Sequence, residues 1–206
     1  MNDWTIAVIA ISALLAVWYG VGHFYNRERG RRLMRWVQGG LDALGGEWEA
    51  GWIGSPASGA RVNVRRGTQP LRRLEMTLLL ENRELPFLWL LDRLRGRRDR
   101  IIIRGTLRSP PRGEVIASSS GPTDLGSEAW TWEESSVGLH IASRGRQGHH
   151  MVASLMPWFT AYGSHLCRLH WRDQDPHINL ELAIAGLLET EAETVFADLV
   201  SGLRAT

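Results

Sequence analysis

The segment "HLCRLHWRDQDPH" (residues 165–177) holds the densest set of potential ligands, namely His165, Cys167, His170, Asp173, Asp175 and His177. Zinc needs three or four such groups converging tetrahedrally. Alternation with period two works against convergence. Cys167, Leu169 and Trp171 fall on one face of a strand and Arg168, His170 and Arg172 on the other, so thiol and imidazole diverge. The segment therefore predicts a hairpin with a polar solvent face and an Asp-Pro turn, Cys167 as a small core residue, and no metal. In "RGRQGHHM" (144–151), His149 and His150 stand at the start of a predicted helix, where free backbone N–H groups can hold an anion. That makes phosphate or a lipid headgroup an alternative there, although the spacing is not that of a phosphate-binding loop.

Other signatures of chemistry are missing. "GSPASG" (54–59) is not followed by Lys-Ser or Lys-Thr, which excludes a P-loop. No G-x-S-x-G elbow surrounds a serine, and neither a dinucleotide fingerprint nor a metalloprotease motif is present. Glu133 and Glu134 sit beside two serines in a predicted turn, and the C-terminal glutamates lie on a solvated helix. Acid–base work needs carboxylates withdrawn from water. The sequence thus leans away from an enzyme, and no cofactor is expected.

The strongest feature is physical. "LPFLWLLDRLRGRRDR" (85–100) joins an apolar stripe, Phe87, Leu90, Leu91 and Leu94, to Trp89 and five arginines, Arg93, Arg95, Arg97, Arg98 and Arg100. Pro86 suits a first helical turn. A helix covering the neighbouring sheet, with a basic exit loop, is the first expectation. The alternatives are a helix lying among anionic lipid headgroups and a docking site for a protein partner. Nucleic acid is not expected, because few aromatics interleave the arginines and the acidic C-terminal half repels phosphate.

The element that would position this segment comes first in the chain. From Trp4 to Tyr25 no residue is formally charged. Wound as a helix, that run reaches about 33 Å, against a hydrocarbon core of about 30 Å. Aromatics stand at both ends, as in an interfacial belt. A cleaved signal peptide would carry positive charge before the apolar run. Here Asp3 precedes it, and Arg27, Arg29, Arg31, Arg32 and Arg35 follow. Such a flank predicts a retained single-pass anchor with the N-terminus outside and the remainder cytoplasmic. One cysteine in 206 residues suits a reducing compartment.

The division expected is an anchor over 1–26, a juxtamembrane helix or hinge over 27–46, and a soluble domain over 47–206. A subdomain boundary at 118–128 is an alternative. Leu33, Trp36, Val37, Leu41 and Leu44 recur with helical spacing, weakened by Gly30, Gly39 and Gly40. Beyond Gly45-Gly46, alternating apolar residues mark three strands within 47–81, two within 101–118, two within 130–142 and a hairpin over 167–184. Helices are expected over 84–95, 148–163 (kinked or interrupted at Pro157) and 188–203, the last with Glu189, Glu191 and Glu193 in its first turns. The fold class is α+β, an antiparallel sheet covered by helices.

All 24 basic residues are arginine. Residues 1–112 hold 19 Arg against 10 Asp and Glu, a balance of +9; residues 113–206 hold 5 against 12, a balance of −7. These halves either pair within one fold or polarise the domain, with its basic side toward anionic lipid. The functional expectation is a membrane-anchored interaction or assembly domain, with a protein partner or membrane complex. A peripheral lipid- or anion-binding domain is the first alternative, and an enzyme with an unrecognised site the second.

Overall fold

Two apolar patterns follow one another along the first helix of the computed structural model, which describes residues 2–121, 130–135 and 137–204. Helix α1 (Asp3–Leu44) is apolar and exposed on all sides up to about Val21. From there a buried stripe begins, with Gly22, Asn26, Gly30, Leu33, Val37, Leu41 and Leu44 recurring every three or four residues. The helix is long and apolar enough to cross a membrane, with a mean hydropathy of 2.0 over its best window. It ends at Gly45, whose φ of 62° lies in the left-handed region that glycine tolerates.

The glycines that weakened the helical pattern do not interrupt it. Gly39 faces open space, but a Cβ on Gly30 would collide with the Pro56 carbonyl, and one on Gly40 would meet the Ala192 backbone at 2.8 Å. Both are contact points where another segment approaches the α1 backbone closely.

The strands are β1 (Glu47–Trp52), β2 (Gly59–Arg65), β3 (Leu71–Leu79), β4 (Arg100–Leu107), β5 (Glu114–Ser118), β6 (Thr131–Glu134), β7 (His140–Arg144), β8 (Leu166–Trp171) and β9 (Ile178–Ala183). Helices α2 (Pro86–Leu94), α3 (Gly148–Tyr162) and α4 (Ala192–Arg204) complete the chain. The nine strands form one sheet in the order β1-β2-β3-β4-β9-β8-β5-β7-β6, antiparallel at every pairing. The C-terminal hairpin β8–β9 sits between β4 and β5, so it bonds the earlier strand groups into one surface. Residues 122–129 of the predicted loop, Ser136 and the side chain of Glu134 lie outside the described residues.

One face of the sheet is apolar through strict alternation. Val62, Val64, Met76, Leu78, Ile101, Ile103 and Leu180 are all at most 1% exposed. Against them pack the C-terminal half of α1, α4 and α3, in that order across the sheet. Leu33, Val37, Leu41 and Leu44 are as deeply buried, and each contributes about 1.5–3 kcal/mol of transfer free energy. Indole N–H groups tie the layer together, Trp36 donating to the Thr190 carbonyl at 2.7 Å and Trp158 to the Val195 carbonyl at 3.1 Å. The opposite face is solvated and carries cross-strand ion pairs such as Arg61–Glu75.

Three local expectations are corrected. Helix α3 is not interrupted at Pro157, because this position is exposed and the carbonyl it leaves unbonded can face water. Helix α4 starts at Ala192 after a 3-10 turn over Leu187–Glu189, so only Glu193 of the three glutamates lies in its first turn. In β8 a bulge between Leu166 and Arg168 shifts the register. Leu166 takes the core position and Cys167 is left half-buried, beside Glu181.

Candidate functional site

Helix α2 does not cover the sheet. Its apolar stripe points outward, with Phe87 80% and Leu94 78% exposed, and none of its residues is buried. The first expectation for this segment is thereby overturned. The physical reason is that α1, α3 and α4 already fill the apolar face of the sheet. Instead α2 lies against the exposed, apolar part of α1. The Trp18 and Trp89 rings sit 5.8 Å apart, and the Trp18 indole donates to the Arg83 carbonyl at 3.0 Å. Gly22 makes this approach feasible, since a Cβ there would strike that same carbonyl.

A polar network pins the junction. Asp99, 3% exposed, accepts from both terminal nitrogens of Arg83 at 2.9 Å, from the Glu81 backbone N–H at 2.8 Å, and from Arg29. Asn26, 1% exposed, donates to the Glu81 carbonyl and accepts from Arg83, each at 2.8 Å. The Glu81 carboxylate accepts from the Trp89 indole at 3.0 Å, which extends the network to α2. Burial alone would raise the Asp99 pKa. The Arg83 hydrogen bonds, the Glu81 N–H and Arg29 outweigh it and hold the carboxyl below its usual range. For Arg83, burial opposes the charge and Asp99 overcomes it, so its pKa is raised. These are structural ion pairs, each partner saturated by the other.

The expected arginines separate into distinct roles. Arg27, Arg31, Arg32 and Arg35 are exposed on α1, with Arg32 and Arg35 beside Glu28. Arg29 faces inward to Asp99 instead. Beyond α2, Arg97 pairs with Asp92 at 3.3 Å and Arg100 pairs with Glu181. Among the described residues Arg93, Arg95 and Arg98 carry no ion pair; the Arg93 guanidinium lies 5.1 Å from the Trp89 ring centroid. Together α2 and its exit loop form an apolar surface rimmed by free cations, next to the apolar part of α1.

His149 and His150 are not part of this surface. They start α3, where Gly148 packs on Gly113 just before β5, and that end of the sheet is occupied by the C-terminal end of β4. Helix α2 precedes the N-terminal end of β4, so the two regions lie at opposite ends. His149 sits 3.4 Å from the Glu133 carboxylate, which competes with any anion. In the hairpin, His170 bonds Glu114 at 2.5 Å and His177 accepts the Leu107 backbone N–H at 3.0 Å, both rings being engaged away from one another. Asn26, Glu81, Arg83 and Asp99 escaped the sequence reading. Two signals were present: Asn26 midway between Gly22 and Gly30 on one helix face, and Asp99 as the lone acid in "RGRRDR". Compared with known proteins, the chain matches no family model and no curated protein.

Proposed function

We propose that this is a single-pass membrane protein whose α+β domain is held flush with the cytoplasmic surface and serves there as a non-enzymatic interaction or assembly module. One observation carries the reading, the outward apolar face of α2 beside the apolar part of α1. A surface of four exposed leucines and Phe87 is costly in water and favourable at a bilayer boundary. With the interface near Tyr25, Trp18 lies about 10 Å further in, the depth to which an interfacial helix sinks. Arg93, Arg95 and Arg98, which carry no ion pair among the described residues, would each add about 1 kcal/mol where they reach anionic headgroups. The exposed Arg27, Arg31, Arg32 and Arg35 favour the same side.

The charged groups with shifted pKa values are consumed in structural pairs, which supports a binding role over catalysis. Tethering also raises the effective concentration of the domain for a partner on the same surface. Two measurements test the proposal. Alkaline extraction of membranes should leave the full-length chain in the pellet, and its release would remove the anchor. Purification in gentle detergent should recover a stoichiometric partner; recovery of the chain alone would remove the assembly role.

A further inference from the structure

Between α1 and α2 lies a groove of about 430 Å³, and its walls are almost wholly apolar. Leu14, Val17 and Val21 form one wall, Trp18 and Trp89 close the floor, and Arg93 stands at the rim. We infer that this groove binds one anionic phospholipid, an acyl chain lying along α1 and the phosphate meeting Arg93. The inference rests on the proposal that α1 crosses a bilayer.

Size, lining and charge each restrict the occupant. A volume of 430 Å³ is in the range of small-ligand sites. A helix, about 10 Å across with its side chains, displaces far more over even three turns. Leu14, Val17 and Val21 are spaced along α1 over about 10 Å, a continuous strip suited to an extended hydrocarbon chain. A water-soluble phosphate gains nothing from such walls. The rim supplies the polar recognition. Arg83, the other guanidinium lining the groove, is held by Asp99 and Glu81. Arg93 has no carboxylate partner among the described residues, and its guanidinium lies over the Trp89 ring, 5.1 Å from the centroid. A phosphate oxygen can therefore take its donors without breaking an existing pair.

The test uses full-length protein reconstituted with equal amounts of phosphatidylglycerol and phosphatidylcholine, then transferred to gentle detergent for native mass spectrometry. Wild type should retain a single phospholipid, predominantly phosphatidylglycerol. Val17→Trp fills the groove and should lower retention about tenfold, whereas Ile9→Trp, outside the groove, should leave it unchanged. Arg93→Gln should keep the lipid but lose the headgroup preference. Retention by Val17→Trp equal to wild type overturns the inference, as does a second polypeptide cross-linked into the groove. Alkaline extraction separates the two failures. A chain that stays with the membrane yet holds no lipid defeats only the groove, while an extractable chain defeats the anchor as well.

Discussion

Replacing Asp99 with asparagine isolates what its charge does at the junction. The change is nearly isosteric, and the remaining carbonyl oxygen can still accept the Glu81 N–H now at 2.8 Å. What disappears is the counter-charge for Arg83 and Arg29, whose side chains are 18% and 25% exposed. Removing one partner of a buried ion pair costs about 3–5 kcal/mol. The lower end applies, because Glu81 remains 3.4 Å from Arg83 and water reaches part of Arg29. About 3 kcal/mol corresponds to a fall in Tm of roughly 6–12 °C for a domain of this size. Thermal unfolding of the purified full-length chain in mild detergent, followed by near-ultraviolet circular dichroism, reads that shift. The pH dependence has a definite sign. A folded-state pKa below the usual carboxylate value stabilises fully above about pH 4 and is lost as pH falls through the lower folded value. Asp99→Asn should therefore also flatten the acid limb of stability. A Tm within about 2 °C of wild type, with an unchanged acid limb, would refute the network as the clamp.

Three further outcomes follow from the same geometry. Gly30→Val should destabilise by about 1–3 kcal/mol through collision with the Pro56 carbonyl, while Gly39→Ala, in open space, should be neutral or gain up to about 1 kcal/mol in the same melts. In a Cys167→Ser background reconstituted in vesicles, Leu90→Cys should resist a water-soluble maleimide and Arg95→Cys should react; equal labelling would place α2 in water. Glu114→Gln should cost about 1 kcal/mol and flatten the acid limb below about pH 4.3: burial raises its pKa, but His170 and Arg144 together lower it, so its contribution is lost as pH falls. An unchanged acid limb would show that His170 and Arg144 do not hold this carboxylate.

Much of the fold was legible because alternation and helical period are local properties. β4 and β9 follow their apolar alternation throughout, β2 does so from Ala60 and β3 from Leu74, past an irregularity at Leu71–Arg73, and α1 follows its stripe from Leu33 to Leu44. Strand order was not legible, since the insertion of β8–β9 between β4 and β5 depends on pairings remote in sequence. The Cys167 bulge escaped because one inserted residue leaves the apolar pattern plausible in either register. For α2 the periodicity located the stripe correctly, but amphipathicity does not say what lies opposite. That answer required knowing that three other helices had already covered the sheet. The clamp was hidden for a related reason. Asn26, Arg29, Glu81, Arg83 and Asp99 are ordinary surface residue types, and only folding brings Asn26 to Glu81 across 55 positions and Arg29 to Asp99 across 70.

The direction of the strands relative to α1 bears on how copies of this protein could meet. Thr68, just before β3, donates its N–H to the Leu44 carbonyl, and Arg83, just after β3, lies on Gly22. β3 therefore runs back along α1, and β1, two antiparallel steps away, runs the same way as β3. β1 is an edge strand, exposed throughout, with Trp48 and Trp52 44% and 41% exposed on the same face as their partners Val64 and Ala60, the helix-bearing face, beyond the reach of the helices. An exposed edge invites a further strand. Antiparallel addition of a second copy would turn its strands, and with them its α1, end for end. With α1 seated in a bilayer and clamped by Asp99 to the sheet, that copy would point its anchor away from the membrane. If α1 crosses a bilayer as proposed, the simplest self-pairing at β1 is blocked, and the edge would accept only a strand of the required direction from another polypeptide.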